Sequence, residues 1–498
     1  MNVNPITRLD YPDLDVIRVE DTYYMVSTTM HFMPGCEILQ SFDLVHWEHV
    51  TYVYETLDHT DAQQLKSGQN IYGQGMWAAS LRYHEGRFYI CFVANDTRKT
   101  YLYTSEKIDG PWKKQLIEGF YHDGSLLFDE DGRNYIVYGN DEIWITELNE
   151  DLTAPKKDGL HRLLVSDHKN PELGYEGSHI QKINGYYYIF LVHSLRDRWM
   201  RTEACFYSDS LEGEFTGGDV LCDDRGYCGQ GVAQGGIVDT PDGKWYAMLF
   251  QDSGAVGRIP ILLPVTWKDH FPFFGQNGHV PEEIEVHSTR PGYIYQPLVG
   301  SDDFCNGLLP RWQFNHDPDP RYYHLDALQG TYTITTREVC TELTQAVNTL
   351  TQRMSYPSCA AEVTVDASAL KEGDVAGLCA LQSCYAAVGI TKHHGKYEVL
   401  MLDKKEDGIL EMTEGTVVES HQMDFRLEAD FCNMKDEARC YYRVNKGDWL
   451  PIGTVHKLYF KLDHFTGCRF GLFCYAAEET GGSACFRDFK YYDVDEIS

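Results

Sequence analysis

The chain has 498 residues, and its 43 Lys and Arg against 75 Asp and Glu give a formal charge of −32. A charge of this sign repels phosphate backbones and anionic lipid surfaces, so it argues against nucleic-acid and membrane partners. Apolar residues form 43% of the chain and aromatic residues 13%, which excludes an acidic disordered protein and allows two to four domains with substantial cores.

Cysteine usage and the first residues bear on the compartment. The fifteen cysteines are scattered, without the spacing of a zinc finger. The sequence begins without an apolar signal core, and no run of about 18 apolar residues occurs in it. We therefore expect free thiols in a reducing compartment and a cytoplasmic protein.

A turn followed by aromatic residues recurs five times in the first half of the chain. The last aromatic residues of the copies are 65, 46, 53 and 58 positions apart, at Tyr24, Tyr89, Tyr135, Tyr188 and Tyr246. Each copy predicts a tight β-hairpin, and this spacing is typical of a four-stranded blade with its loops. The all-β pattern therefore predicts a five-bladed β-propeller over residues 1–290.

The five-fold pattern ends near Glu285, and Pro291-Gly292 and Pro297 mark a linker. From residue 301 to residue 498 the chain continues as short alternating strands, without the repeat. About 200 residues of this kind favour a β-sandwich of the jelly-roll type as a second domain.

One residue lies at an equivalent position in each repeat, eleven or twelve places before the last tyrosine: Asp13, Trp77, Asp123, Glu176 and Gln234. Because the first strand of each blade lines the channel of a propeller, we expect these residues to meet at one mouth. Taken singly, the acids could be turn or loop residues and Trp77 a core residue. Burying three acids together is costly, however, so the set predicts an acid/base site.

Glycoside hydrolysis uses such a set of residues. One carboxylic acid protonates the leaving oxygen, and a carboxylate activates water or attacks directly. A third acid nearby would raise the pKa of the first through like-charge repulsion. Trp77 offers a flat face for a sugar, and Arg258 offers a fork of donors for hydroxyl groups, although a surface salt bridge explains that arginine equally well.

Several motifs lie at these positions: Tyr11-Pro12-Asp13, Phe32-Met33-Pro34-Gly35, Met76-Trp77-Ala78-Ala79, His122-Asp123-Gly124, Glu176-Gly177-Ser178-His179 and Val256-Gly257-Arg258. Together they resemble those of glycoside hydrolase family 43. The second part, from Asp303-Phe304 through Thr349–Arg353, looks like the β-sandwich appended in the β-xylosidase branch of that family. The resemblance covers nearly the whole chain.

The resemblance implies a role for each matching residue. Asp13 matches the general base, Glu176 the general acid, and Asp123 the third acid, which orients Glu176 and raises its pKa. Arg258 and Trp77 match residues that bind the sugar to be cleaved. The family inverts configuration, which implies about 6.5–9.5 Å between the carboxyl groups of Asp13 and Glu176.

The sequence also departs from the family pattern. Met30 stands where an aromatic residue is usual, and we include Met30, His31 and Phe32, with Gln234, among the predicted substrate-binding residues. A second acid, Asp15, lies close to the base. His122 and His179 are expected to support the acids through hydrogen bonds.

No cofactor is expected to be required. Gln234 replaces a histidine that in some members of the family helps to hold a calcium ion, so a calcium ion in the channel is an expectation of low weight. A structural calcium in the sandwich is a second such expectation, with oxygen ligands drawn from Asp302, Asp303, Asp493 and Asp495.

The resemblance implies an exo-acting, inverting enzyme that releases terminal xylose or arabinose from small xylo- or arabinoxylo-oligosaccharides, with a homo-oligomer as the expected assembly. Three alternatives stay open, and one of them is a scaffold propeller that binds proteins. A carbohydrate-binding propeller without catalysis would use the aromatic residues alone. A fructosidase-like hydrolase also pairs a propeller with a sandwich, but it retains configuration through carboxyl groups about 5–5.5 Å apart.

Overall fold

The computed structural model describes residues 2–461 and 464–493, where the regular structure consists of β-strands and short 3₁₀ turns. The turns are Lys66–Gly68, Gly254–Val256, Leu343–Gln345 and Cys432–Met434. Within these ranges no helix has the length and apolar character needed to cross a bilayer. The all-β prediction is confirmed.

Five four-stranded antiparallel sheets follow one another in the first part of the described chain, which confirms the predicted five-bladed propeller. The strands of each blade pair in chain order, and the first strands line a central channel. The strands are Asp15–Val19, Thr22–Val26, Gly35–Ser41 and Glu48–Tyr54 (blade 1); Ser80–His84, Arg87–Ala94, Lys99–Ser105 and Lys113–Ile117 (blade 2); Ser125–Phe128, Asn134–Asn140, Glu142–Leu148 and His161–Ser166 (blade 3); Glu176–Ile183, Tyr186–Ser194, Arg201–Ser208 and Thr216–Leu221 (blade 4); Val232–Asp239, Trp245–Asp252, Arg258–Lys268 and Phe271–Phe274 (blade 5).

The recurring turns join the first two strands of each blade. Asn184 and Gly185 both have positive φ, 50° and 85°, as a type I′ hairpin requires, and Gly132 and Gly243 each have a φ of 81°. The aromatic residues that follow enter the second strand and pack between blades. Apolar clusters fill each interface between neighbouring blades, including the one that joins blade 5 to blade 1.

The start of the chain fastens blade 1 to blade 5. Asn2–Val3 pairs with Glu283–Ile284, and Asn4 Nδ2 donates to the carbonyl oxygen of Leu262 at 2.7 Å. The backbone N–H of Arg258 donates to Asp10 Oδ1 at 2.6 Å. These bonds hold the segment that leads into Asp13 against the third strand of blade 5.

Two antiparallel sheets form the second domain, as the sandwich prediction requires. A linker without strands precedes it and lies against blade 1, where the N–H of Gln296 donates to Glu48 Oε2 at 2.9 Å. The first sheet contains Leu410–Met412, Lys396–Lys404, Tyr385–His393, Val375–Leu381, Arg469–Tyr475, Leu350–Arg353, Gln313–Asn315 and Phe32–Met33, with Thr416–Val418 beside Lys396–Lys404; the second contains Tyr323–Asp326, Thr331–Thr335, Ser483–Asp493, Ser358–Asp366, Gln422–Asp430, Glu437–Val444 and Leu450–Lys457. An apolar core packs between the two sheets.

The two domains share one sheet. Phe32–Met33 leaves blade 1 and pairs with Gln313–Asn315 at the edge of the sandwich. A buried ion pair also joins the domains, with Arg353 Nη1 2.8 Å from Glu37 Oε2. The sandwich is therefore docked firmly against one side of the propeller, next to blade 1.

Candidate active site

A pocket of about 260 Å³ opens at one mouth of the propeller channel. The structure brings all five equivalent positions of the repeats into its lining, together with Arg258. The other residues of the lining are His122, Asn140, Leu173, Trp199, Arg201 and Phe465. Every blade thus contributes to the pocket, and the sandwich contributes Phe465.

The backbone is strained where the acids enter the pocket. Asp13, Asp123 and Gln234 have positive φ of 51°, 48° and 66°, which residues with side chains rarely adopt. Gly177, after Glu176, has a φ of 66°, and a Cβ there would lie 2.8 Å from the Gln234 side chain. Strand pairing is irregular at Glu176 and at Gln234. Such irregularities re-aim side chains, here toward the channel axis.

Asp13 is buried and held by three donors. Its Oδ1 accepts from Arg258 Nη1 at 2.6 Å and from Gln234 Nε2 at 3.2 Å, and its Oδ2 accepts from Thr28 Oγ1 at 2.7 Å. Gln234 is held in turn, because its backbone N–H donates to Glu203 Oε2 at 2.7 Å. The carboxylate is therefore fixed in orientation by blades 1 and 5.

Asp123, Glu176 and His122 form a compact group, with one ligating atom of each within 4.8 Å of the others. His122 Nε2 lies 3.5 Å from Asp123 Oδ2 and 3.5 Å from Glu176 Oε2. Asn140 Nδ2 donates to Glu176 Oε2 at 2.6 Å, and the N–H of Gly177 donates to Asp123 Oδ2 at 3.0 Å. Asp13 is not part of this group, so one acid stands apart from the other two.

Burial and neighbouring charges perturb all three groups. Burial, with the charges of Glu176 and Asp13, raises the pKa of Asp123 to about 6. Burial lowers the pKa of His122, but Asp123 and Glu176 outweigh it and raise that pKa to about 9. Burial also raises the pKa of Glu176, yet His122 and the nearby arginines hold that pKa below its ordinary value. The like-charge effect expected of Asp123 is therefore outweighed at Glu176, since a cationic imidazole lies beside both carboxylates.

Two arginines share one carboxylate beside Asp13. Asp252 accepts from Arg258 Nε at 3.1 Å and from Arg201 Nε at 3.2 Å, and all three side chains are buried. Arg258 is thus no surface salt bridge. Its guanidinium lies between the pocket acid Asp13 and Asp252, with one face 4.3 Å from the ring centre of Phe465.

Aromatic side chains form the walls of the pocket. Trp77 and Phe465 meet edge to face with ring centres 5.3 Å apart, and Trp77 also contacts His122. Trp199 lines the pocket with Leu173 on the side of blade 4. Flat apolar walls around a group of polar side chains suit a sugar ring, which has apolar faces and a polar edge.

A second ionic cluster closes the channel beneath the pocket. The five N–H groups of Arg82 reach Asp15 Oδ2, Ser125 Oγ and the carbonyl oxygens of Leu81, Leu126 and Ile180, at 2.6–3.2 Å. Asp15 also contacts His179 Nδ1 at 3.1 Å, and its pKa falls to about 2 because Arg82 and His179 outweigh burial. Asp15, the acid close to Asp13, and His179, the predicted supporting histidine, thus belong to the cluster around Arg82, which we call the floor of the channel.

Met30, His31 and Phe32 lie outside the pocket lining, which corrects their predicted role in substrate binding. All three are buried, because their segment forms the strand shared with the sandwich. The Phe32 ring lies 3.5 Å from the guanidinium carbon of Arg469, and the His31 ring packs against the sandwich. The backbone of Met30 pairs with Met76, next to Trp77, so this segment supports the pocket wall from behind.

The donors in the pocket do not fit a calcium ion. Calcium prefers oxygen ligands, and the group of His122, Asp123 and Glu176 places an imidazole with a raised pKa between the two carboxylates. Gln234 donates its side-chain N–H to Asp13. These residues instead form an acid/base group around a cationic histidine.

The proposed calcium ligands in the sandwich have other partners. Asp302 accepts from the N–H of Phe304 and from Trp312 Nε1, and Asp493 Oδ1 accepts from Ser355 Oγ. Among the residues that the structure describes they form no group of three metal-binding donors. Asp495 lies outside the described residues.

Sequence reasoning missed five lining residues. They are Asn140, Leu173, Trp199, Arg201 and Phe465. Asn140 and Arg201 stand at strand ends on the pocket side of blades 3 and 4, so comparing strand ends between repeats could have found them. Phe465 comes from the other domain, about 207 positions after Arg258, and no local pattern indicates it.

This architecture and site define a glycoside hydrolase, since three carboxylic acids and an arginine meet in a sugar-sized aromatic pocket. A family model described as glycosyl hydrolases family 43 matches residues 3–272, and the chain belongs to that family. A model described as the β-xylosidase C-terminal concanavalin A-like domain matches residues 301–492.

Individual relatives extend over the whole chain. A β-xylosidase from Formosa agariphila is 27% identical over 554 aligned positions, which cover 99% of this chain and 89% of that protein. A bifunctional GH43-CE protein from Bacteroides eggerthii superposes with a TM-score of 0.92 and 42% identity over 100% of this chain. This chain spans 64% of that protein's length. A GH43 enzyme described as engineered for both endo-xylanase and exo-arabinofuranosidase activity superposes with a TM-score of 0.88 at 27% identity, covering 99% of each chain.

Proposed function

We propose that this glycoside hydrolase releases terminal xylose or arabinose from xylo- or arabinoxylo-oligosaccharides. The observation that carries the proposal is the pocket with three acids and Arg258 at the propeller mouth. Phe465 of the sandwich and Trp77 wall this pocket on one side, and Trp199 on another, which favours the end of a sugar chain over its middle. The relatives named for β-xylosidase and arabinofuranosidase activity support the choice of pentoses.

Asp13 serves as the general base in this proposal. Its carboxylate is fixed by Arg258, Gln234 and Thr28, and it stands apart from the group of Asp123 and Glu176. A water held by Asp13 would attack the anomeric carbon from the face opposite the leaving group, which inverts configuration. The predicted separation of about 6.5–9.5 Å between Asp13 and Glu176 stays a prediction of this mechanism.

Glu176 serves as the general acid, and its neighbours supply its proton. His122, with a pKa of about 9, holds an exchangeable proton at neutral pH, whereas Asp123, with a pKa of about 6, is mostly ionised, as is Glu176 in the free pocket. A sugar that displaces water weakens the stabilisation of ionised Glu176, so the proton shifts to Glu176 and then to the leaving oxygen. Asp123 orients the group through the backbone of Gly177.

The remaining pocket residues bind the sugar. Trp77 stacks on its apolar face, while Arg258 and Gln234 contact its hydroxyl groups beside Asp13. None of these roles needs a cofactor. We further propose action in the cytoplasm, which the scattered cysteines support, and a dimer or tetramer, which sedimentation of the purified chain would test.

Initial rates on p-nitrophenyl β-D-xylopyranoside and p-nitrophenyl α-L-arabinofuranoside test the proposal. We expect release from at least one of them. Hydrolysis of xylobiose, whose poor leaving group needs a proton, should fall about 10²–10⁴-fold in Glu176→Gln, because general acid catalysis contributes that much. Arms with EDTA and with calcium test the metal question, and neither is expected to change the rate. Glu130→Gln, an exposed acid at the opposite end of the channel, is the matched control.

The stereochemistry of the product separates the alternatives. Proton NMR of the first sugar released should show the inverted anomer, whereas retention would favour the fructosidase-like arrangement. A protein that binds xylose in calorimetry, but releases nitrophenol from neither substrate, would contradict the proposed catalysis. Unchanged hydrolysis of xylobiose by Glu176→Gln would contradict the assignment of the acid.

A further inference from the structure

Arg201 enters the pocket with most of its hydrogen-bonding capacity uncommitted. It begins the third strand of blade 4, lines the pocket, and is 2% exposed. Its Nε donates to Asp252 Oδ2 at 3.2 Å, while its Nη1 is buried and has no partner among the residues that the structure describes. A buried cationic donor without an acceptor is unfavourable, so the free enzyme keeps this group at a cost.

Arg258 shows how the same residue type is satisfied in the same pocket. It binds Asp252 through Nε and Asp13 through Nη1 at 2.6 Å. Among the described residues, the side chain of Arg201 donates to the shared Asp252 alone. Packing fixes the Arg201 guanidinium in place, because it lies 5.5 Å from the ring of Trp199 and 5.4 Å from that of Phe250. An immobile fork of donors in a sugar pocket is prepared for an acceptor that the ligand brings.

The charges around the pocket favour a neutral acceptor. Asp13, Asp123, Glu176 and Asp252 face three cations, namely Arg201, Arg258 and His122. The acids outnumber the cations by one, so a carboxylate on the sugar would meet net repulsion. Neighbouring hydroxyl oxygens of a neutral sugar match the spacing of a guanidinium fork and bring no charge.

We propose that Arg201 is a second sugar-binding arginine, which binds hydroxyl oxygens of a neutral terminal sugar and so determines which pentoses the pocket accepts. This inference rests on the proposed function. It assigns the specificity for hydroxyl groups on the blade 4 side of the pocket to Arg201, whereas Arg258 acts on the side of Asp13.

Deoxy substrates test the contact directly. kcat/KM is measured for wild type, Arg201→Lys and Arg201→Met on p-nitrophenyl β-D-xylopyranoside and on its 2-, 3- and 4-deoxy forms. We expect Arg201→Met to lose about 10- to 150-fold on the parent substrate, as for a hydrogen bond to a charged group. On the deoxy form that lacks the contacted hydroxyl the same variant should lose less than about 3-fold. Arg201→Lys keeps the charge but not the fork of donors, so its kcat/KM on the parent substrate should lie between those of wild type and Arg201→Met.

Control measurements separate a binding role from a structural one. Arg162→Met removes an arginine that bridges the outer parts of blades 3 and 4 through backbone carbonyls, and it should not alter the discrimination among deoxy forms. Equal losses for the Arg201 variants on every deoxy substrate would overturn the proposal, because a disturbed fold does not distinguish hydroxyl groups. A selective loss on a p-nitrophenyl glucuronide would overturn the choice of a neutral sugar.

Failure of the proposed function looks different. If the wild type releases nitrophenol from neither the xyloside nor the arabinofuranoside, the proposed catalysis is contradicted, whatever the Arg201 variants do. Calorimetric titration with xylose and with arabinose then tests the binding role alone. Equal affinities of wild type and Arg201→Met would overturn it, and a loss of at least 10-fold in the variant would support it.

Discussion

The mouth and the floor of the propeller channel are built from the same five inner strands, yet their charged groups are compensated to different degrees. At the floor, every N–H of Arg82 has an acceptor, and the pKa of Asp15 falls to about 2. At the mouth, the pKa of Asp123 rises to about 6 and Arg201 Nη1 has no described partner.

The difference supports the proposal that the mouth is the catalytic end. Charged groups that stabilise the fold have partners for nearly all of their hydrogen-bond donors and acceptors, so few are left to bind a ligand. Charges that serve a substrate are left with raised pKa values, unused donors and strained backbone, and the rest of the fold supports that cost. The larger cavity, about 470 Å³, lies at the far end of the channel, where Arg18 and Lys182 are already paired.

The largest expected effect comes from replacing Asp123 at the mouth, with Asp15 at the floor as the comparison. Asp123→Asn should lower kcat/KM by about 10²–10⁴-fold. It should also stabilise the fold by about 1–3 kcal/mol at neutral pH, because the ionised form of a buried acid with a raised pKa is unfavourable. The gain should fade as the pH drops through 6 toward 3.8, since the carboxyl is then protonated in both folded and unfolded states.

Asp15→Asn is the matched control, and it should destabilise the protein instead. The pKa of Asp15 is lowered in the folded state, so its stabilisation is present above 3.8 and is lost as the pH falls toward 2. Thermal unfolding across this pH range measures both variants. Shifts of the same sign in the two would contradict the comparison between mouth and floor.

Removal of Arg82, the cation of the channel floor, should lower the free energy of unfolding. Arg82→Met leaves Asp15 with His179 and the backbone N–H of Leu81 and removes bonds to four inner strands, so we expect a loss of about 3–5 kcal/mol in urea unfolding. Arg18→Met breaks a more exposed pair with Asp239 and should cost less than about 1 kcal/mol. Equal losses of stability in the two variants would show that burial does not make the Arg82 ion pair more important to the fold than the exposed Arg18 pair.

His122, the titratable cation at the mouth, should determine the alkaline limb of the pH profile of kcat/KM. In wild type, kcat/KM should fall as the pH rises through about 9, where His122 and its group lose a proton. In His122→Gln the proton resides on a carboxyl group instead, and loss of the cation raises the pKa of Asp123 above its wild-type value of about 6, so this limb should move from about 9 to a pH somewhat above 6. An unchanged alkaline limb would show that His122 does not supply the proton.

The smallest expected effect concerns the wall that the sandwich provides. Phe465→Ala removes contacts with Trp77 and Arg258 and should raise KM about 3- to 10-fold, with little change in kcat. Phe273→Ala, on the outer strand of blade 5, is the control, because that ring is half exposed and remote from the pocket. A loss confined to kcat would show that Phe465 aligns the acids rather than binding the sugar.

Much of the site could be predicted from the sequence, because a propeller repeats. Hairpin spacing gave the five blades, and one position counted back from each hairpin found the five residues that now meet at the mouth. Periodicity carries this information since equivalent residues of a closed ring face the same axis. Arg258 followed from its place after the fifth repeat and from the family resemblance.

Predictions failed where contacts cross between elements that the repeat does not relate. Met30, His31 and Phe32 were expected in the pocket, but pairing with Gln313–Asn315 draws their segment into the sandwich. The pKa of Glu176 was expected to rise, but His122 lies close enough to reverse that shift.

The amino-acid sequence by itself determined the propeller, the sandwich and the acids of the site, because hairpin turns and alternating strands are local and each repeat states them again. Only the tertiary structure decided which acid carries the raised pKa, that Phe465 of the second domain walls the pocket, and that Arg201 Nη1 has no partner among the described residues. Those properties depend on distances of a few ångströms between residues far apart in the chain, since burial and charge act through space.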